Sequence, residues 1–442
     1  MKRWLVVLLV MLAVIVLISP ALVGRLAEKS LEENIDWAES ESAGIEVQTE
    51  SFDRGWFTSE GRHRVVLRGG SFRGAAEAYR LNTGYGELPS LIIDTRVDHG
   101  PVAIGSLGRD SGTLEPSLAS MVSTFQLDPG NGEFVPLPGT LYSKVSLGGA
   151  TDAHFLLEAG NFEHEEGRID WQGADITVHT DMSTGAVILD GRLEPLSISD
   201  DAESVRIGAI SVAANQVKSD YGINVGTAEF SIESTQADSM NAPISIGRIF
   251  FSGDANIEDA RLNFGSQVTV DEIEVPGMGD VSFAMDLSVS RLDAASTAVV
   301  TRAFQDAQGS PDPEIAMMEL FPKIEGDLQN IVASGAEIQI DQLDVTLPQG
   351  KISTKLMVEV PEGDVAADFS WGSALLQMTA TADVRMPAEL FEFISMMNPQ
   401  AGSLIAMGIL VNDGDDFVMN AEYAQGLLNV NGAPMPIPMP GM

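Results

Sequence analysis

The sequence contains no cysteine. This excludes disulfide staples, thiolate nucleophiles and thiolate metal ligands, so the fold must rest on an apolar core. Basic residues are scarce: 25 Lys and Arg stand against 64 Asp and Glu, a net charge of -39. A surface of that sign repels phosphate backbones, so nucleic acid is excluded as a partner class, and lying flat on anionic lipid is disfavoured. The acids are spread rather than clustered, which fits a solubility adaptation better than a cation store. Catalytic signatures are missing too. There is no H-E-x-x-H, no G-x-S-x-G, no P-loop and no dinucleotide-binding glycine pattern, so no catalytic residue, metal or cofactor is assigned. The five histidines, His63, His99, His154, His164 and His179, are scattered. His154 and His164 would meet across a hairpin beside Glu163, Glu165 and Glu166, but solvated strand histidines are the plainer reading. Asn412-Asp413-Gly414-Asp415-Asp416 lacks the alternating calcium-loop spacing and reads as an acidic turn.

What the sequence does have begins with an apolar run. Trp4 to Val23 carries no charge, Lys2 and Arg3 precede it, and Arg25 ends it. Twenty residues at about 1.5 Å each make a helix about 30 Å long, the thickness of a bilayer's hydrocarbon core. Ser19-Pro20-Ala21 offers a small-x-small cleavage site. The stretch Leu5–Ile18 is long for a cleaved signal and Leu22-Val23 prolongs it, so a retained single-pass anchor is expected. Lys2 and Arg3 then stay cytoplasmic and the rest of the chain lies outside.

The remainder divides by texture into a β-rich region over 25–290, a helical segment over 291–335, and a C-terminal β/α region over 336–442 with a Pro/Met-rich tail. Residues 24–42 have helical spacing and read as a stalk. Beyond them, short alternating runs separated by Gly, Asp, Asn and Pro point to antiparallel strands. Phe283, Met285, Leu287 and Val289 form one apolar set, Ile352, Thr354, Leu356 and Val358 another, and Phe417, Met419, Ala421 and Tyr423 a third. Residues 336–347 and 351–360 flank Pro348-Gln349-Gly350 and form a hairpin with a turn of about three residues. The alternation shifts phase at Asp341-Gln342, which predicts a bulge there. Helices are expected over Ala294–Gln308, Glu314–Val332 and Pro387–Met397, with Ser403–Leu410 continuing the last. Pro322 should kink or split the second, whose apolar residues, among them Met317, Met318, Leu320 and Phe321, wrap more than one side and call for more than one neighbour. Pro434 to Pro440 alternates proline with apolar residues and should be extended coil outside any ladder. The expected fold is mainly β: one or more large antiparallel sheets with a groove-like apolar face, a few helices on one face, and an N-terminal transmembrane helix.

Two local sequences stand out. Phe52-Asp53-Arg54-Gly55-Trp56-Phe57-Thr58-Ser59 gathers three aromatics around Arg-Gly, as a tight turn feeding the first strands would. Asp98-His99-Gly100-Pro101 follows the apolar run Leu91–Ile93 and ends a strand. With Gly426-Leu427-Leu428-Asn429-Val430-Asn431-Gly432 near the C-terminus, they carry a resemblance: the chain resembles the bacterial YdgA-like family of unknown function over nearly its whole length. The resemblance implies an inner-membrane-anchored periplasmic protein that can form homodimers, and it implies no chemistry. The motif residues, Phe52, Arg54, Gly55, Trp56, Phe57, His99, Gly100, Pro101, Asn431 and Gly432, are structural in this reading. Function is expected to be a binding module whose apolar sheet face holds a lipid or another envelope component. The alternative is an interaction protein that docks itself or an envelope partner.

Overall fold

Period-two alternation leaves each strand with one apolar face to bury and a row of backbone groups to pair, and lateral antiparallel pairing meets both needs. The computed structural model describes residues 45–54, 58–67, 88–99, 117–130, 132, 134–146, 148–164, 167–181, 183–199, 203–238, 243–275, 279–308, 310, 313–363 and 371–435. The strands run β1 (Ile45–Arg54), β2 (Thr58–Leu67), β3 (Ser90–His99), β4 (Ser117–Asp128), β5 (Val135–Ser146), β6 (Thr151–Leu157), β7 (Gly160–His164), β8 (Gly167–Trp171), β9 (Ala174–Asp181), β10 (Ala186–Leu193), β11 (Leu196–Ser199), β12 (Ser204–Ile207) and β13 (Ile210–Lys218). They continue as β14 (Asn224–Ile232), β15 (Thr235–Asp238), β16 (Ile244–Ile246), β17 (Ile249–Glu258), β18 (Arg261–Val275), β19 (Gly279–Asp293), β20 (Glu337–Leu347), β21 (Gly350–Glu359), β22 (Thr379–Pro387), β23 (Val411–Asp413), β24 (Asp416–Ala424), β25 (Leu427–Val430) and β26 (Ala433–Met435). The helices are α1 (Ala294–Gln308), α2 (Pro313–Ala333), α3 (Trp371–Gln377), α4 (Ala388–Met397) and α5 (Gly402–Ala406), with a 3-10 turn at Pro399–Ala401. Among the described residues no helix is long and apolar enough to cross a membrane. The run Trp4–Val23, the stalk at 24–42 and the tail beyond Met435 lie outside them.

The chain forms two compact units. The first holds residues up to Asp201, Ala209–Lys218 and Arg302–Pro322; the second holds Ala202–Gly208, Ser219–Thr301 and Lys323–Met442. In the first unit the antiparallel order is β1-β2-β3-β4-β5-β6-β9-β10-β13, with β7-β8-β11 as a shorter ladder. One face of this sheet makes a contiguous core that includes Val65, Leu91, Ile93, Phe125, Leu141, Phe155, Ile176 and Val178. Phe125 and Phe155 meet edge to face, their centroids 5.9 Å apart. The opposite face carries ion pairs beside the buried Ile92 and Val66. Arg64 bonds Asp128 at 2.7 Å and Glu50 at 2.6 Å. Burial alone would raise the Asp128 pKa, but the hydrogen bonds from Arg64 and from the backbone of Gly130 hold it below the usual carboxylate value.

In the second unit the order is β14-β17-β18-β19-β20-β21-β22-β24-β25-β26. The strands β12, β15 and β16 join through β18, and β23 pairs with β24. Asp293 caps α1 by accepting the Ser296 N–H at 2.8 Å. At the far end of α2, Ser334 donates its hydroxyl to the Arg291 carbonyl at 2.6 Å.

Within each unit some strands break and resume, with backbone hydrogen bonds carried across the break. In the first, Gln172 N–H bonds Pro195 O and Glu194 N–H bonds Gly173 O, between the paired halves of neighbouring strands. In the second, Gly208 N–H bonds Ser234 O, and Gly247 N–H bonds Glu272 O, both at 2.6 Å. The crossing is tight enough to require glycine. A Cβ on Gly208 would lie 2.8 Å from Ser234 N and 2.9 Å from Ser234 O, closer than real side chains come.

Several sequence expectations meet the structure here. The three alternating sets lie on β19, β21 and β24. The phase shift at Asp341-Gln342 is a register shift between Ile340 and Leu343, so the predicted bulge is present. The hairpin turn is shorter than expected, because Gly350 already pairs with Leu347 and only Pro348-Gln349 turn. Pro322 does not split its helix, and α2 runs through it. The missing N–H falls where the side chains are exposed, on the side of the helix that packs least. Pro434 is inside β26, opposite Asn429, rather than in coil. An outermost strand tolerates a residue with no N–H, which is why proline survives there.

Candidate functional site

Register carries the apolar alternation from strand to strand across the second unit. Phe230 faces Phe251, Phe251 faces Val268, Val268 faces Met285 and Met285 faces Leu343. A parallel row joins Phe264, Val289, Ile338, Val358, Ala380 and Tyr423. Another joins Val270, Phe283, Val345 and Ile352. No Asp, Glu, Lys or Arg interrupts these rows.

The reverse face of the same strands takes the charge. Lys351 pairs with Asp344 at 2.8 Å and Arg385 with Asp416 at 2.7 Å. Arg291 reaches both Glu337 at 2.6 Å and Glu359 at 2.9 Å. Burial would raise the Asp344 pKa, yet hydrogen bonds from Lys351, Gln342 and Ser353 outweigh it and keep the carboxyl below its usual value. The alternation thus sorts charge to one side and leaves the other uncharged and mostly apolar, with Ser266 and Thr354 among its residues.

Cover on the apolar face is partial. At one end of the strands, Leu390 and Phe391 of α4 pack with Met386, Leu410, Ile352 and Phe417. The rings of Phe391 and Phe417 are 4.6 Å apart. At the other end, α3 is held where Tyr423 Oη donates to Leu375 O at 2.7 Å. Elsewhere on the face Phe230, Phe251, Phe264 and Ile338 remain between 37% and 41% exposed. In the first unit the matching core residues Leu91, Phe155 and Ile176 are no more than 5% exposed. The backbone of these strands is spent on the ladders, and the rows contain no ionisable group apart from the Tyr423 phenol, whose hydroxyl is already bonded. Such a surface can hold apolar matter.

The motif residues fall elsewhere. Phe52 is half-exposed on β1, opposite Gly61. A Cβ on Gly61 would touch both the Phe52 ring at 3.1 Å and His63 Nε2 at 2.8 Å, so the glycine makes room for the two rings. His63 is buried beside Thr49, whose Oγ1 is 3.1 Å from Nδ1. Burial lowers its pKa and outweighs the attraction of Asp94. Arg54 closes β1 opposite Ser59, and His99 closes β3 opposite Ala119. Since Thr58 pairs with Asp98, the two motifs lie at one end of three adjacent strands. Gly55, Trp56, Phe57, Gly100 and Pro101 lie outside the described residues.

Asn431 and Gly432 have φ of 50° and 78° and form the two-residue turn between β25 and β26. Asn431 also ties down a loop: its Nδ2 donates to Gly408 O at 2.9 Å and Ile409 O at 3.0 Å, and its Oδ1 accepts from Asn420 N at 2.8 Å.

His154 and His164 are not brought together. His154 stands opposite Thr177 and bonds Asp175 at 2.9 Å, whereas His164 pairs with Gly167 at the β7–β8 turn. His179 bonds Asp152 at 2.7 Å. Among the described residues no group of three or more His, Asp or Glu could hold a metal. Sequence reading passed over Phe230, Phe251 and Phe264. The signal in β17 was Ile249, Phe251, Gly253, Ala255 and Ile257, an alternation that small residues dilute.

The chain belongs to a family described as bacterial protein of unknown function (DUF945), which it matches over residues 1–438. No curated protein and no solved structure matches it.

Proposed function

We propose that this member of the DUF945 family is a membrane-anchored periplasmic module that holds an envelope lipid or similar apolar ligand on the sheet of its second unit. The carrying observation is the charge-free face whose Phe230, Phe251, Phe264 and Ile338 stay over a third exposed, in a chain of net charge -39. Water against so much apolar surface is unfavourable, and an acyl chain lying across the strands removes it without asking for a hydrogen bond. The run Trp4–Val23 supports a single-pass inner-membrane anchor with the C-terminal side in the periplasm, and the YdgA-like motifs support the same address. The test is mass spectrometry of lipids co-purifying with the detergent-extracted full chain. Wild type should carry lipid and Phe251→Asp should carry markedly less at unchanged circular dichroism. Wild type that is free of lipid would refute the reading. N-terminal sequencing that starts at Leu22 would refute the retained anchor.

A second reading rests on α2. Leu320 and Ile324 are buried on one side, while Met318, 81% exposed, and Phe321 stand out on the other. This unpartnered stripe suits self-association. Met318→Asp should then weaken a homodimer in light scattering without unfolding the chain, and an unchanged mass would count against the dimer.

A further inference from the structure

Between the row of Phe251 and the row of Phe264 runs a third row on the same face of the second unit. It joins Ala228, Gly253 and Ser266, and continues through Leu287 and Ile340 to Leu356. Its first three positions carry little or no side chain. Phe230 and Phe251 stand on one side of them and Phe264 on the other. The row therefore starts as a low floor between aromatic walls. The Phe251 ring leans over Gly253, where a Cβ would lie 3.6 Å from its Cζ. Ser266 is 9% exposed, on a face where Phe251 and Phe264 remain over a third exposed. Among the described residues its hydroxyl has no hydrogen-bond partner. Nor is it one of the unpaired hydroxyls sealed from the surface, as those of Ser143 and Thr180 in the first unit are. A donor so placed is reached by whatever enters between the rings.

Charge decides which polar atom meets that donor. None of the three rows holds a Lys or Arg, so a carboxylate or phosphate at Ser266 would sit among apolar side chains without a cation, at a large desolvation cost. A neutral carbonyl oxygen accepts the hydroxyl proton at no such cost. Past Ser266 the row crosses β19, β20, β21, β22 and β24, five steps of about 4.8 Å, or roughly 24 Å. Half-buried Leu287, Ile340, Leu356, Ala382 and Ala421 line it. One acyl chain spans half of a bilayer's hydrocarbon core, about 15 Å, and fits within that length. We propose that Ser266 donates a hydrogen bond to the ester carbonyl of an acylated glycerolipid whose chain lies along this row toward β24. The inference rests on the sheet-face reading and adds the chemical class of the ligand: an acyl ester, as against a free fatty acid or a plain hydrocarbon.

The detergent-extracted full chain is offered an equimolar mixture of dipalmitoyl phosphatidylcholine and its dihexadecyl ether analogue, which lacks only the carbonyls. Retained lipid is measured by mass spectrometry. Phe251→Asp reports the lipid held elsewhere on the chain, and that amount is subtracted. Wild type should retain the ester over the ether by about two- to tenfold, the worth of one neutral hydrogen bond. Ser266→Ala, at unchanged circular dichroism, should retain the two alike. Should that variant not fold, Ser266→Cys, of similar volume and only a weak donor, takes its place. Equal ester and ether on wild type, or a preference that survives the substitution, overturns the inference and leaves the sheet-face reading standing. Wild type that retains no more of either lipid than Phe251→Asp refutes that reading, and the inference with it.

Discussion

Replacing Phe155 and Phe251 by alanine, one at a time, tests whether the two units differ in the way their burial indicates. Phe155 is 3% exposed, meets Phe125 edge to face, and has its ring 3.0 Å from where a Cβ on Gly139 would sit. Its loss removes the buried ring, leaves a cavity the neighbouring strands cannot close, and forfeits the aromatic pair, for about 3–5 kcal/mol in all. Phe251 is 37% exposed. Full burial of such a side chain is worth about 1.5–3 kcal/mol, and with more than a third still in water the loss on truncation should be about 1 kcal/mol. Hydrogen exchange resolved by peptide is the right assay, since it follows each unit without assuming a single two-state transition. Phe155→Ala should lower protection in β4, β5, β6 and β9 by the larger amount, and Phe251→Ala should barely change β14, β17 and β18. Equal losses in the two variants would mean that the second unit's face is closed like the first, and the binding argument would fail with it.

His63 supplies a pH dependence. Its folded pKa is lowered from the ordinary 6.5 by burial, so the neutral form is favoured on folding. The stability it confers is whole above about 6.5 and is lost as pH falls from there toward the folded value. Urea titrations from pH 7.5 to 5 should therefore show a shallower decline for His63→Gln than for wild type, and parallel curves would contradict this. Asn431→Ala gives up three side-chain hydrogen bonds and puts a Cβ-bearing residue without a polar side chain at φ 50°, for a loss of about 2–4 kcal/mol. Asn431→Gly relieves the backbone cost alone and should fall between the two in thermal melts, whereas a Gly variant as weak as Ala would show that the conformation contributes little.

How legible the fold is from the chain depends on the range of the interaction that fixes each part. The β19 set Phe283, Met285, Leu287 and Val289, the bulge at Asp341-Gln342 and the helix beginning at Pro313 all follow from periods and turn residues within a few positions. The path of α2 through Pro322 and the place of Pro434 in β26 do not, because each depends on what lies alongside: an exposed helix side in the first, the outermost position of a ladder in the second. His154 and His164 show the limit most plainly. Ten residues suggest a hairpin partner, but the chain bends at Glu158-Ala159 and continues as β7, so His154 pairs across to β9 and finds Asp175.

The sequence by itself determined that the chain is mainly β, that strands pair antiparallel, and that charge and hydrocarbon go to opposite faces, because alternation with period two admits no other arrangement of a half-buried strand. Only the tertiary structure decided which apolar faces are covered. Phe155 and Phe251 sit in equally apolar alternations, and nothing local distinguishes them. One is enclosed by strands β4 and β9 with their neighbours, and the other is left with α3 and α4 only at the strand ends. Coverage is a property of distant segments meeting in space, and it separates the first unit's core from the second unit's open face.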